Sequence, residues 1–105
     1  MTEFINLTPH AINIILENGT VVLEPSGSVA RVDVTMESTG TIAGVPIKHN
    51  VYGTVTGLPA PKEGRYYVVS SLVAQAVQRG DVLIPNDAVR DENGRIIGCR
   101  SLARV

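Results

Sequence analysis

The sequence predicts a β-rich α+β domain: a twisted antiparallel sheet or small barrel of about seven to nine short strands, with one short helix packed on it. Three observations lead there. Of the 105 residues, 44% are hydrophobic but only 4% aromatic, so the core must come from Val, Ile, Leu and Ala. That β-branched bias fits a pleated, half-buried surface. Turn signals such as Asn18-Gly19, Pro25-Ser26-Gly27 and Asn93-Gly94 recur at short intervals. Helical spacing is found in one place, residues 72–79. The length fits a single domain, 1–105, with a real core and little to spare.

The elements follow in order. Residues 4–7 form a short strand, bent at Thr8-Pro9-His10, and residues 11–16 form the second. Asn18-Gly19 is the strongest two-residue hairpin signal, and residues 21–23 return antiparallel. From 29 to 37 the alternation is clean. Ala30, Val32, Val34 and Met36 share one face; Arg31, Asp33, Thr35 and Glu37 share the other. This predicts a strand with one dry face and one wet face. Gly40-Thr41-Ile42-Ala43-Gly44-Val45-Pro46 then recurs as Gly53-Thr54-Val55-Thr56-Gly57-Leu58-Pro59. Each copy reads as a strand ended by a glycine turn and closed by proline. The pair are either similar hairpin edges or two turns lining one mouth of the sheet, where glycine permits close approach.

The segment from 66 to 104 is the most informative. It reads strand, Ser-Ser, helix, Gly-Asp, strand, turn, strand. Ser70 or Ser71 is a preferred N-cap. Leu72, Val73, Ala76 and Val77 make the apolar stripe, and Gly80 stands where a closing glycine belongs. A final hairpin turns at residues 91–94.

Composition excludes several function classes. Net charge is −1 and basic residues never run beyond two, so neither nucleic acid nor a membrane is an expected partner. A single cysteine permits no internal disulfide. With no apolar run of signal or membrane-span length, the expectation is a cytoplasmic protein. His10, His49 and Cys99 do not supply a metal-ligand set, and no cofactor is expected. Cys99 lies in a strand-like run, and a Cys99–His10 dyad is the only nucleophilic pair on offer. The expectation is that the chain is not an enzyme.

Candidate ligand-binding residues are Ser70 and Ser71 at the strand-to-helix junction, where unpaired N–H groups and a positive dipole end attract anions. Ordinary capping is the alternative. Arg90 and Arg100 flank the last turn and stand near-opposite if the hairpin is regular; arginine suits bidentate phosphate recognition. Surface ion pairs are the alternative. Asn6, His10 and Tyr66 would frame the rest of a ligand. For Asn6 and its neighbour Thr8, capping the bend is the competing explanation.

Three stretches carry a resemblance: Asn6-Leu7-Thr8-Pro9-His10, Tyr67-Val68-Val69-Ser70-Ser71-Leu72-Val73-Ala74, and Val89-Arg90-Asp91-Glu92-Asn93-Gly94-Arg95-Ile96-Ile97-Gly98. Together they resemble a family of small uncharacterised phage, prophage and bacterial proteins. The resemblance implies a mobile-element setting, with the host cytoplasm as the site of action. Small phage proteins often act by binding, and one class sequesters nucleotide-derived immune signals. Two functions are therefore expected. One is to hold a small anionic, nucleotide-like ligand as an anti-defence sponge. The other is to serve as a structural or adaptor component with no pocket. With so much aliphatic surface and only 18% charged residues, a homo-oligomer, a dimer or higher, is expected in either case. A pocket lined by Ser70 and both arginines would favour the first; a flat face of Val and Ile would favour the second.

Overall fold

The computed structural model describes residues 2–105. It is β-rich, with one short helix, and its main sheet curls into a half-barrel. The strands are β1 (Glu3–Asn6), β2 (Ile12–Leu16), β3 (Gly19–Leu23), β4 (Arg31–Ile42), β5 (Val45–Thr56), β6 (Arg65–Val68), β7 (Val82–Arg90) and β8 (Ile96–Ala103). The helix α1 (Ser71–Val77) lies between β6 and β7. Six strands form one sheet in the order β1-β6-β7-β8-β2-β3, while β4 and β5 form a separate two-stranded ribbon.

The antiparallel expectation holds for β2–β3, β4–β5 and β7–β8. It fails for β1–β6, β6–β7 and β2–β8, which are parallel. For β6–β7 the reason is the helix between them; β1–β6 and β2–β8 join strands distant in the chain, whose direction no tight turn constrains. A strand–helix–strand crossover returns the chain in the same direction, whereas antiparallel neighbours need only a tight turn. The strand, Ser-Ser, helix, Gly-Asp, strand order therefore already implied the β6–β7 pairing.

Two apolar clusters hold the sheet. On its outer face Leu7, Tyr67, Val69, Val73, Ala74 and Val82 pack beneath α1, with Val32 and Val55 from the ribbon base against them. Inside the curl lie Ile12, Ile14, Val68 and Cys99, flanked by Leu23 and Leu102. Burial of a Val or Leu side chain is worth about 1.5–3 kcal/mol, so the two clusters together dominate the fold's stability.

The helix differs from the sequence expectation at both its face and its end. Val73 and Ala74 are buried, but Leu72 is 46% exposed. A seven-residue helix presents only two turns, and tertiary contact selects which side they turn inward. The helix stops at Val77, and Gln78, not Gly80, takes the left-handed position (φ 48°), donating its N–H to the Ala74 carbonyl at 3.0 Å. Ser70 is the N-cap; its hydroxyl accepts from the Val73 N–H at 3.5 Å. Beyond the helix, Arg79 grips Asp81 with two hydrogen bonds of 2.9 and 2.6 Å and donates to the Pro59 carbonyl. The hydrogen bonding from Arg79 holds the Asp81 carboxyl below its usual pKa.

The ribbon accounts for the 13-residue repeat. The first glycine turn, Ala43-Gly44, is the tip of the hairpin, and Gly57 of the second lies at its base. At about 3.3 Å per residue, strands of this length hold the two turns on the order of 40 Å apart. They do not line one mouth. Gly57 has a φ of 78°, and a Cβ there would stand 2.5 Å from the Val29 carbonyl oxygen, so this turn admits only glycine.

The dry face expected for residues 30–36 is dry only at the base. Ala30 is buried, Val32 and Val34 are half-buried, and Met36 is 66% exposed. The molecule is correspondingly elongated. Its Cα radius of gyration is 16.3 Å, against about 13 Å for a compact chain of this length.

Candidate functional site

The seven sequence-predicted residues do not gather into one pocket. Asn6 is 1% exposed and fully engaged. Its amide donates to the carbonyls of His10 and Leu23, both at 2.8 Å, and its Oδ1 accepts from the Thr8 N–H and hydroxyl. The Asn6 carbonyl accepts from the Ser26 N–H at 3.0 Å, and Asn6 bridges to Pro25 just beyond β3. Asn6 is thus the clasp that joins the two edges of the curled sheet at one end. The bend after it is shaped by this capping. His10 contributes a backbone carbonyl to the clasp, and its imidazole is on the exposed surface.

Ser70 is occupied as the helix cap, and Ser71 is the exposed first helical residue. Ser70 also borders a shallow cleft of about 380 Å³ with Thr8, Pro9, Arg31 and Asp33, so two of the resemblance-bearing stretches are neighbours there. Neither Arg90 nor Arg100 reaches this cleft.

The two arginines are not near-opposite. Arg90 pairs with Ile96 beside the turn, whereas Arg100 follows the Ala88–Cys99 rung. The register shift between Val89 and Arg90 adds to the offset. Arg90 donates to the Gly94 carbonyl at 2.7 Å, and the Asp91 carboxylate accepts from the Asn93 and Arg95 N–H groups. This stretch therefore builds its own turn. Gly98 serves packing as well: a Cβ would stand 2.7 Å from the Asn13 carbonyl oxygen on β2.

Tyr66 and Arg100 do converge. At the end of the half-barrel away from the Asn6 clasp, the sheet edges stay apart and leave a cleft of about 560 Å³. All six strands of the sheet contribute to its wall. Tyr66 lies beside Phe4 on the neighbouring strand, their ring centroids 5.8 Å apart. Arg100 and Arg104 line the same cleft. Sequence reasoning missed Phe4 and Arg104. The signal was present, because Phe4 and Tyr66 are each two residues before a buried strand residue, Asn6 and Val68, and residues two apart share a face. What the sequence lacked was the β1–β6 pairing that sets them side by side.

Cys99 is buried among Ile12, Ile14 and Val68 of the inner cluster, while His10 is exposed. Among the described residues no group of three His, Cys, Asp or Glu side chains is placed to hold a metal ion. Among the same residues no helix is long and apolar enough to cross a membrane.

The second notable surface is the outer ribbon. Met36, Ile42 and Val45 are 66%, 67% and 58% exposed, and Ile47 and Val51, also exposed, share the face of Val45 while Met36 lies on the other. Within the structure, β5 is hydrogen-bonded to β4 alone, so its other edge is open.

The chain matches no protein-family model, no curated protein and no solved structure.

Proposed function

We propose that this is a self-assembling interaction protein, a structural or adaptor component of a phage or mobile element, and that its β4–β5 arm binds the arm of a second copy. The observation that carries this reading is the uncovered outer half of the arm. A two-stranded ribbon is marginally stable in water by itself. Here one face exposes Ile42, Val45, Ile47 and Val51, with Met36 exposed on the other, and apolar surface of this kind marks interaction sites in folded proteins.

Charge favours a second copy as the occupant. The arm carries Arg31 and Lys48 against Asp33 and Glu37, a balance that does not oppose self-association. β5 contains no carboxylate, and its edge-blocking residues, Pro46 and Lys48, both lie in the half near the tip, leaving residues 49–56 without a charge or proline against strand pairing. Two β5 edges meeting antiparallel about a two-fold axis near Asn50 would set Lys48 of one copy beside Tyr52 of the other. The two lysines would then lie apart, and the pairing would close as a dimer.

Light scattering on a size-exclusion column tests this. The wild-type protein at tens of micromolar, an ordinary range for such association, is expected to elute as a dimer or larger. Ile47→Lys/Val51→Lys is expected to elute as a folded monomer whose melting temperature no longer depends on protein concentration. A wild-type monomer, or a double variant that stays dimeric, would remove the arm from this role. The ligand-binding reading keeps one specific observation in its favour, the convergence of Tyr66 with Arg100.

A further inference from the structure

We infer that the open end of the half-barrel is a binding site for a small anion carrying a flat aromatic group, of the size and chemistry of a nucleoside monophosphate. The inference is independent of the arm.

The cleft combines two features. The first is an aromatic pair. Phe4 and Tyr66 are adjacent across parallel strands, tilted 38° to each other. Phe4 is 44% exposed, a large apolar face left open at the rim. Such faces stack on flat ligands and add affinity beyond simple burial. The second is charge. Arg100 and Arg104 both line the cleft, and no carboxylate is among its described lining residues. Arg104 donates from Nε to the Gly80 carbonyl at 2.7 Å, which holds its guanidinium at the rim. Arg100 makes no ion pair with any described residue. The nearby acid Glu3 is engaged by Arg65 at 2.6 Å, and Asp81 is engaged by Arg79 at 2.6 Å. Outside the lining, the Asp87 carboxylate accepts from the hydroxyl of Ser101, a cleft residue, and Glu63 shares the adjoining groove with Arg104. The positive charge of the cleft is thus offset only from its rim.

Two guanidinium groups in a lining that holds no carboxylate suit a phosphate, which arginine holds bidentately. The apolar floor of Ile14, Leu83 and Leu102 suits the uncharged part of the ligand. A volume of about 560 Å³ is within the range of small-molecule sites. The site differs from a phosphate-only site in requiring the rings, and from a nucleic-acid track in being closed at its far end by the Asn6 clasp.

The experiment is calorimetric titration with adenosine 5′-monophosphate, adenosine, inorganic phosphate and a ten-nucleotide oligothymidylate. The monophosphate is expected to bind at least tenfold more tightly than adenosine or phosphate alone. Arg100→Gln and Tyr66→Leu are each expected to weaken it tenfold or more, and raised salt should weaken it further. Ring-proton shifts of Phe4 and Tyr66 in the wild-type protein give a readout independent of variant folding. No binding at millimolar monophosphate, or unshifted rings, would overturn the proposal. So would equal binding of phosphate alone, or tighter binding of the oligonucleotide, which would make the cleft a single-strand site. Titrating Ile47→Lys/Val51→Lys in parallel separates the two roles, since ligand binding should survive loss of the arm contact.

Discussion

The outer cluster and the outer arm are made of the same kinds of residue and meet opposite fates. Val69, Val73 and Val82 are nearly fully buried, whereas Val45 and Ile42 in the arm are more than half exposed. The difference lies in what each strand has for a neighbour. β6 is flanked on both edges and covered by α1. The distal arm has one hydrogen-bonded neighbour and no covering layer. A β-branched strand is therefore a demand for cover, which this chain supplies for the sheet and does not itself supply for the distal arm.

The comparison breaks most sharply at the helix. Val73→Asp should unfold the protein, because an unpaired charge would enter the outer cluster, at a loss of about 4 kcal/mol or more. Leu72→Asp, one residue earlier and half exposed, should cost about 1 kcal/mol or less. Equal effects in thermal melts would mean that α1 is rotated from the position described.

The clasp comes next. Asn6→Ala removes a buried amide that serves four hydrogen bonds and leaves the Leu23 carbonyl short of a donor. A loss of about 2–3 kcal/mol is expected, with faster amide exchange at the β1–β3 end of the sheet. A neutral outcome would deny Asn6 its role in closing the half-barrel.

The two repeat glycines sharpen the contrast between base and tip. Gly57→Ala should cost about 2 kcal/mol or more, combining its positive φ with a Cβ forced against the Val29 carbonyl. Gly44→Ala has the same strained backbone at the tip but open space around it, and about 1 kcal/mol is expected. Chemical denaturation of both variants decides whether the base is the tighter end.

The smallest effect is titration of the Arg79–Asp81 pair. The Asp81 carboxyl is depressed in the folded state by its hydrogen bond to Arg79. Its contribution is complete above the unfolded-state value of about 3.9 and is lost as pH falls through the lower folded value. Asp81→Asn should therefore remove part of the acid dependence below about pH 4. Stability near neutral pH should fall by no more than about 1 kcal/mol.

Much of the local structure was legible. The Asn18-Gly19 hairpin, the bend capped by Asn6 and Thr8, the Ser70 N-cap and the turn at 91–94 all follow from residues a few positions apart. Their physics is local, so sequence suffices. The candidate site was legible only in fragments. Tyr66 and Arg100 could be singled out by residue type, but not as neighbours of Phe4 and Arg104, because β1 and β8 reach the cleft through pairings that span most of the chain. Ser70, Ser71 and Arg90 were singled out by the same reasoning and have local partners or open surface in the structure.

The sequence by itself determined a β-rich chain with one short helix, because turn chemistry and hydrophobic period act within a few residues. Only the tertiary structure decided which strands run parallel, which face of α1 is buried, and that residues 31–56 leave the body as an arm. Those outcomes depend on pairing between distant segments. Alternation states that a face is apolar; what covers that face is set by whichever distant strand, helix or second chain comes to lie against it.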